Sequence, residues 1–163
     1  SLSDLDFNEE VYIHKADNSI KPINISMHPK RDANPVWSQD GSKLGFSSAR
    51  NNGDSDVWFV WLKKEDWQKT KEDWDEEDDG EKEDKKKDDK KEKTKTVTPV
   101  KIDLDQIYKR QVQVTSFSGG EFVKGFSKDG KMIYYSTGDG GRGNGSFEAD
   151  LFKIKWNGKD RKN

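Results

Sequence analysis

One pattern is written twice in this chain. Residues 34–48 read Asn-Pro-Val-Trp-Ser-Gln-Asp-Gly-Ser-Lys-Leu-Gly-Phe-Ser-Ser, and residues 123–137 repeat the pattern at a shift of 89. Without a gap, Phe126, Ser127, Asp129, Gly130, Ile133, Tyr135, Ser136 and Thr137 fall on Trp37, Ser38, Asp40, Gly41, Leu44, Phe46, Ser47 and Ser48. In each copy Asp-Gly stands between runs of β-formers, and glycine readily adopts the positive φ that such a turn needs. Each copy therefore reads as two short strands joined at an Asp-Gly corner.

The flanking segments follow the same order around each copy. Residues 10–15, centred on Val11, Tyr12 and Ile13, read as a strand, and 16–19 as a turn. Ile23-Asn24-Ile25-Ser26 alternates as a second strand, and Pro29 and Pro35 discourage helix in the loop that follows. After the first corner, Asp56-Val57-Trp58-Phe59-Val60-Trp61-Leu62 is nearly continuous in apolar residues, which predicts a strand buried on both faces. Val112 and Val114 then take the places of Ile23 and Ile25, and residues 150–156 form the last apolar strand. That strand recurs at Val11, Val57 and Leu151; the first interval, 46 residues, is the length of a four-stranded propeller blade. The second, 94, holds the same blade plus an insertion and a longer glycine loop.

Composition locates the insertion. Charged residues are 38% of the chain and hydrophobic ones 29%, but 15 acidic and 12 basic side chains fall between Lys63 and Lys95. Such a block lacks the apolar area to offset the entropy of ordering, so the part from Asp75 onwards is expected to be disordered or a solvated helix. Trp67 and Trp74, seven residues apart, are expected to share a helix face and dock it on the sheet edge. The net charge of −2, with no basic stripe, implies neither nucleic acid nor an anionic membrane as partner. No apolar run is long enough to span a bilayer, and with no Cys there are no disulfides, thiolate zinc sites or thiol nucleophile. The polar start at Ser1, without Met, suggests a piece of a longer protein.

The run 34–48, followed by Asp56-Val57-Trp58, resembles the WD40-like repeat shared by TolB-type and tricorn-type propellers. Pro99-Val100-Lys101-Ile102-Asp103-Leu104-Asp105-Gln106-Ile107, leading into Gln111-Val112-Gln113-Val114-Thr115, is similar to the propeller region of bacterial tricorn-like serine proteases of the S41 class. The resemblance implies an all-β fold: a partial β-propeller of two to three four-stranded antiparallel blades. The parts would be 1–62 (a partial blade and three strands of the second), 63–98 (the charged insertion) and 99–163 (the last strand of the second blade and a partial third). In that family the propeller gates or guides peptides, while a PDZ-like domain and a Ser/His proteolytic domain lie elsewhere in the chain. The expected function is thus a non-catalytic scaffold or peptide-access module, in the bacterial periplasm or envelope, or alternatively the cytoplasm. Its partners would be a peptide or protein substrate, the remaining blades and, through exposed edges, other copies. The alternatives are a TolB-like interaction propeller and the propeller lid of a hydrolase similar to prolyl oligopeptidase.

No catalytic, metal or cofactor-binding residue is assigned. Gly138-Asp139-Gly140-Gly141-Arg142-Gly143 spells a dinucleotide fingerprint, but a strand follows it where that chemistry needs a helix. Arg142 in this loop is the candidate contact for a substrate carboxylate. His14 and His28 lack a second ligand at metal spacing, and Asp54 with Asp56 is not followed by an EF-hand loop. Asp103 and Asp105 read as a solvated pair on one face of a strand, and Ser38 and Ser127 as hydrogen-bonding corner residues. Asn24-Ile25-Ser26 and Asn144-Gly145-Ser146 match the short glycosylation sequon.

Overall fold

The computed structural model describes residues 2–3, 8–51, 53–69, 73–74, 100–138 and 150–163. Three antiparallel sheet units follow one another along the chain. The first comprises two separate two-stranded sheets, β1 (Leu2–Ser3) with β2 (Glu9–Glu10) and β3 (Tyr12–Ile13) with β4 (Ile23–Asn24). The second is a four-stranded meander of β5 (Asp32–Trp37), β6 (Lys43–Asn51), β7 (Asp54–Trp61) and β8 (Gln111–Gln113). The third holds β9 (Gly120–Phe126), β10 (Met132–Gly138) and β11 (Leu151–Lys155). Between β7 and β8 the described residues include a short helix, α1 (Lys64–Gln68), and a 3₁₀ turn at Ile107–Arg110.

The expected strand over residues 10–15 is interrupted. Val11 breaks it because its N–H donates to the Ser26 hydroxyl at 3.0 Å and its carbonyl accepts from Ile25. His14 lies beyond β3, exposed. At the other end the chain turns at Asn157-Gly158, and Lys162 exchanges two backbone hydrogen bonds with Lys153, a single bridge on the free edge of β11.

Both corners are built alike. Ser38 N–H donates to Lys43 O and Ser127 N–H to Met132 O; Lys43 N–H donates back to Ser38 Oγ at 2.8 Å and Met132 N–H to Ser127 Oγ at 2.9 Å. Gly41 and Gly130 take φ of +70° and +68°, the left-handed region that favours glycine. The departure of the second copy, Val123-Lys124 where the first has Asn34-Pro35, leaves the register intact. Ala33 pairs Ser47 and Val36 pairs Gly45, while Phe122 pairs Ser136 and Gly125 pairs Tyr134. A bulge absorbs the extra residue at the same place in each, which also accommodates Pro35, a residue with no ladder donor.

The second sheet is covered on both faces, as the apolar run in β7 predicts. Leu44, Phe46 and Val60 meet Val11, Ile13 and Ile25 of the first unit, with Leu62 and Ile107 closing that core. Val57, Phe59 and Trp61 face the other way, onto Val123, Phe126, Ile133, Tyr135 and Ile154 of the third. Burying each such side chain contributes about 1.5–3 kcal/mol. These two layers of side chains hold the units face to face.

Candidate functional site

The two Asp-Gly corners lie side by side. The Asp40 carboxylate packs where a Cβ on Gly130 would stand, so glycine at 130 is needed for space as well as for φ. Between the corners, α1 and the end of β11 opens a cleft of about 350 Å³. Its apolar lining is Trp74 and Trp156, both in contact with the buried Trp61, which stacks on Trp74 at 5.1 Å and meets Trp156 edge-on at 5.3 Å. Among the described lining residues are six lysines and three aspartates. The carboxylates are tied locally. Asp40 accepts from Ser42 Oγ at 2.5 Å, Asp129 from Ser127 Oγ at 2.5 Å, and Asp66 pairs with Lys69 at 3.4 Å. Hydrogen bonds from Ser38 and Ser42 outweigh burial and hold Asp40 below its usual range; the Ser127 hydroxyl does the same for Asp129.

Lys43 is the unusual member. The residue is 3% exposed, its ammonium lies 4.3 Å from the centre of the Trp61 ring, and it donates to Ser42 Oγ at 2.8 Å. Burial pushes its pKa down to about 8, against the pull of Asp40, Asp66 and Asp129.

A second buried group lies at the opposite end of the strands. Glu121, 1% exposed, is pushed up to about 7 by burial and then by its neighbour Asp56, and its Oε2 has no hydrogen-bond partner among the described residues. Asp56 is raised by burial and accepts from Asn51 and Gln113 at 3.2 Å. The pair can share a proton. Arg110 is also buried, donating to Asp103 O, while its Nε and Nη1 have no hydrogen-bond partner among the described residues.

The sequence candidates are dispersed. Arg142 and the glycine loop after Gly138 lie outside the described residues, as do residues 75–95 and the 144–146 sequon. His28 Nδ1 accepts from Lys30 N–H at 3.2 Å. Asp103 and Asp105 are not on a strand: Asp103 accepts from Lys64 N–H at 2.9 Å and so closes the base of the insertion, and Asp105 is in a turn. Trp67 and Trp74 do not share a helix face, because α1 ends at Gln68; Trp74 enters the indole cluster and Trp67 remains 43% exposed. Asn24 of the other sequon is turned inward onto Glu10 and Ser26.

No protein-family model matches the chain, and a search of curated proteins returns no match.

Proposed function

We propose that the three sheet units are consecutive blades of a β-propeller, and that this propeller is the non-catalytic, peptide-guiding part of a tricorn-like serine protease. One observation carries the reading: the pairing of the last two strands is built from the same parts in the first unit and in the second. Ser26 Oγ accepts from Val11 N–H at 3.0 Å in the first unit, and Thr115 Oγ1 accepts from Val57 N–H at 2.8 Å in the second. The acid beside each valine, Glu10 or Asp56, is held by an amide, Asn24 or Gln113. A strand pair that recurs with the same side-chain lock in consecutive units is what a fold built from repeated blades calls for. The corner serines have their hydroxyls committed to backbone and aspartate partners, a structural use rather than a nucleophilic one.

The test uses the purified chain with fluorescein-labelled unstructured peptides, followed by anisotropy and by chromatography of the products. Binding without cleavage is expected. Turnover abolished by a serine-directed inhibitor would overturn the non-catalytic role, and an anisotropy flat to millimolar chain would overturn the guiding role.

A further inference from the structure

Trp37 and Phe126 hold the same place in the two copies, 89 residues apart, but only one of them is covered. Phe126 is 7% exposed and Trp37 49%. The cover over Phe126 is a strand of the preceding sheet: β6 lays Gly45 against its ring, so closely that a Cβ there would stand 2.9 Å away. Trp37 is turned to the corresponding side. Val36 beside it packs into the core shared with the third unit, and successive side chains of a strand point to opposite faces, which leaves the indole on the face towards the first unit. Half of its surface there is uncovered apolar area.

The first unit is open where a matching cover belongs. In the second sheet Phe59 lies between Gly45 of β6 and Val112 of β8. At the interval of 46 its counterpart is Ile13, which pairs Ile23, the counterpart of Val112, and has no strand on its other side among the described residues. β1 runs along that side only at Glu9 and Glu10. Val11 sends both its N–H and its carbonyl to the β4 side, onto Ser26 and Ile25, so alternation turns the N–H and carbonyl of Tyr12 and His14 to the open edge. In the second sheet the strand on this edge is β6, the one that covers Phe126. A single strand laid along β3 in the same way would pair Tyr12 and His14 and pass beneath Trp37.

We infer that this edge is a docking site for an extended peptide strand, antiparallel to β3, with a glycine beneath Trp37. β6 shows what such an occupant needs. An open strand edge pairs with the backbone of any extended chain, so affinity comes from main-chain hydrogen bonds. Selectivity comes from the indole, which is larger than the phenyl ring that already demands Gly45. Leu44 and Phe46, the neighbours of Gly45, leave β6 on the face away from Phe126, so the residues flanking the occupant's glycine would point away from Trp37 and meet no such demand. This site rests on the repeat of the units, which the blade reading also uses, and not on the protease parentage.

The full chain, labelled with ¹⁵N, is titrated with a capped peptide copying residues 41–46, Gly-Ser-Lys-Leu-Gly-Phe, and with its Gly45→Val form. The Trp37 indole N–H resonance and the exchange of the Tyr12 and His14 amides are followed. A saturable shift of the indole and slowed exchange at both amides are expected, with the valine peptide weaker by about tenfold, the usual cost of overpacking expressed as affinity. Trp37→Ala is expected to keep its circular dichroism spectrum and to bind the glycine peptide about tenfold more weakly. Unmoved amides at the highest soluble peptide concentration, equal affinity for the two peptides, or a folded Trp37→Ala that binds like the parent would each overturn the site. If the variant unfolds, the comparison of the two peptides on the unaltered chain decides. Protection of the same amides by self-association, without peptide, would assign the edge to a second copy and overturn the peptide occupant. Labelled unstructured peptides that bind while Tyr12, His14 and Trp37 stay unmoved would overturn this edge and leave the peptide-guiding role standing.

Discussion

Asp32 and Glu121 occupy the same position 89 residues apart, yet they are buried in opposite company. Asp32 meets the Arg50 guanidinium at 3.1 Å, itself stacked over Trp58 at 4.4 Å. Position 139, the counterpart of Arg50, is Asp. Glu121 instead faces Asp56, the Thr115 hydroxyl and the Phe117 N–H, and its charge acts on the Tyr135 phenol, which accepts from Arg161 at 2.8 Å. Its folded pKa of about 7 lies above the ordinary 4.5, so between those values the folded chain holds a proton that the unfolded chain has released. Stability therefore falls as pH rises through that window, and the raised Asp56 acts in the same direction. Asp40 and Asp129, held below their usual range, work the other way, but only under about pH 4, where they take up protons. The urea midpoint of the chain is expected to be higher at pH 5 than at pH 7.5. Glu121→Gln, neutral throughout, should flatten that slope and raise the midpoint at pH 7.5; equal midpoints in the parent chain would show that the pair ionises freely.

At the level of the strands, contact between the second and third sheets depends on a missing side chain. Gly45 of β6 faces Phe126 and Val123, and an added Cβ would stand 2.9 Å from the Phe126 ring and 3.3 Å from Val123. Ser47, two residues along the same face, accepts from Val123 N–H at 3.1 Å, which fixes the backbone that would have to retreat. Gly45→Ala is expected to lower stability by about 1–3 kcal/mol in urea unfolding, the usual cost of overpacking, and a change below about 0.5 kcal/mol would mean that Phe126 swings aside freely. Strand order and both corners were legible beforehand because they rest on local chemistry, an Asp-Gly turn and an apolar run at β7. The bulges beside Asn34 and Lys124 were not, since they arise from pairing with β6 and β10, and no single strand encodes its partner's register. The cleft was missed for a different reason. Its signal was present as the mismatch of Lys43 with Met132 inside an otherwise faithful repeat, but it acquires meaning only once burial shows the lysine to be inside. Trp74 is similar, a helix-face expectation that resolves into an indole stack because α1 is too short to reach it.

For the molecule as a whole, the decisive relation is that one sheet belongs to two cores. Phe46 and Phe59 leave it on opposite faces, and the long connection between β7 and β8 must return the chain to the same sheet without disturbing either core. The described ends of that connection are anchored close together. Trp74, which lines the cleft with Asp40, stacks on Trp61, and Val100 packs against Gly41 of the same corner. Asp103 then donates to Leu62 O at 2.9 Å and accepts from Lys64 N–H at 2.9 Å, closing the base. The sheet therefore receives its fourth strand, β8, from a chain already fixed before and after the charged block. Removing residues 75–95 and joining Trp74 to Thr96 roughly halves the connection, and loop-closure entropy changes by only about 0.6 kcal/mol for each halving, in favour of the shorter chain. The deletion variant is expected to melt in one transition within a few degrees of the parent by circular dichroism, with tryptophan emission unchanged because the indole stack is retained. A fall of more than about 10 °C, or two separate transitions, would show that the charged block supports the middle sheet.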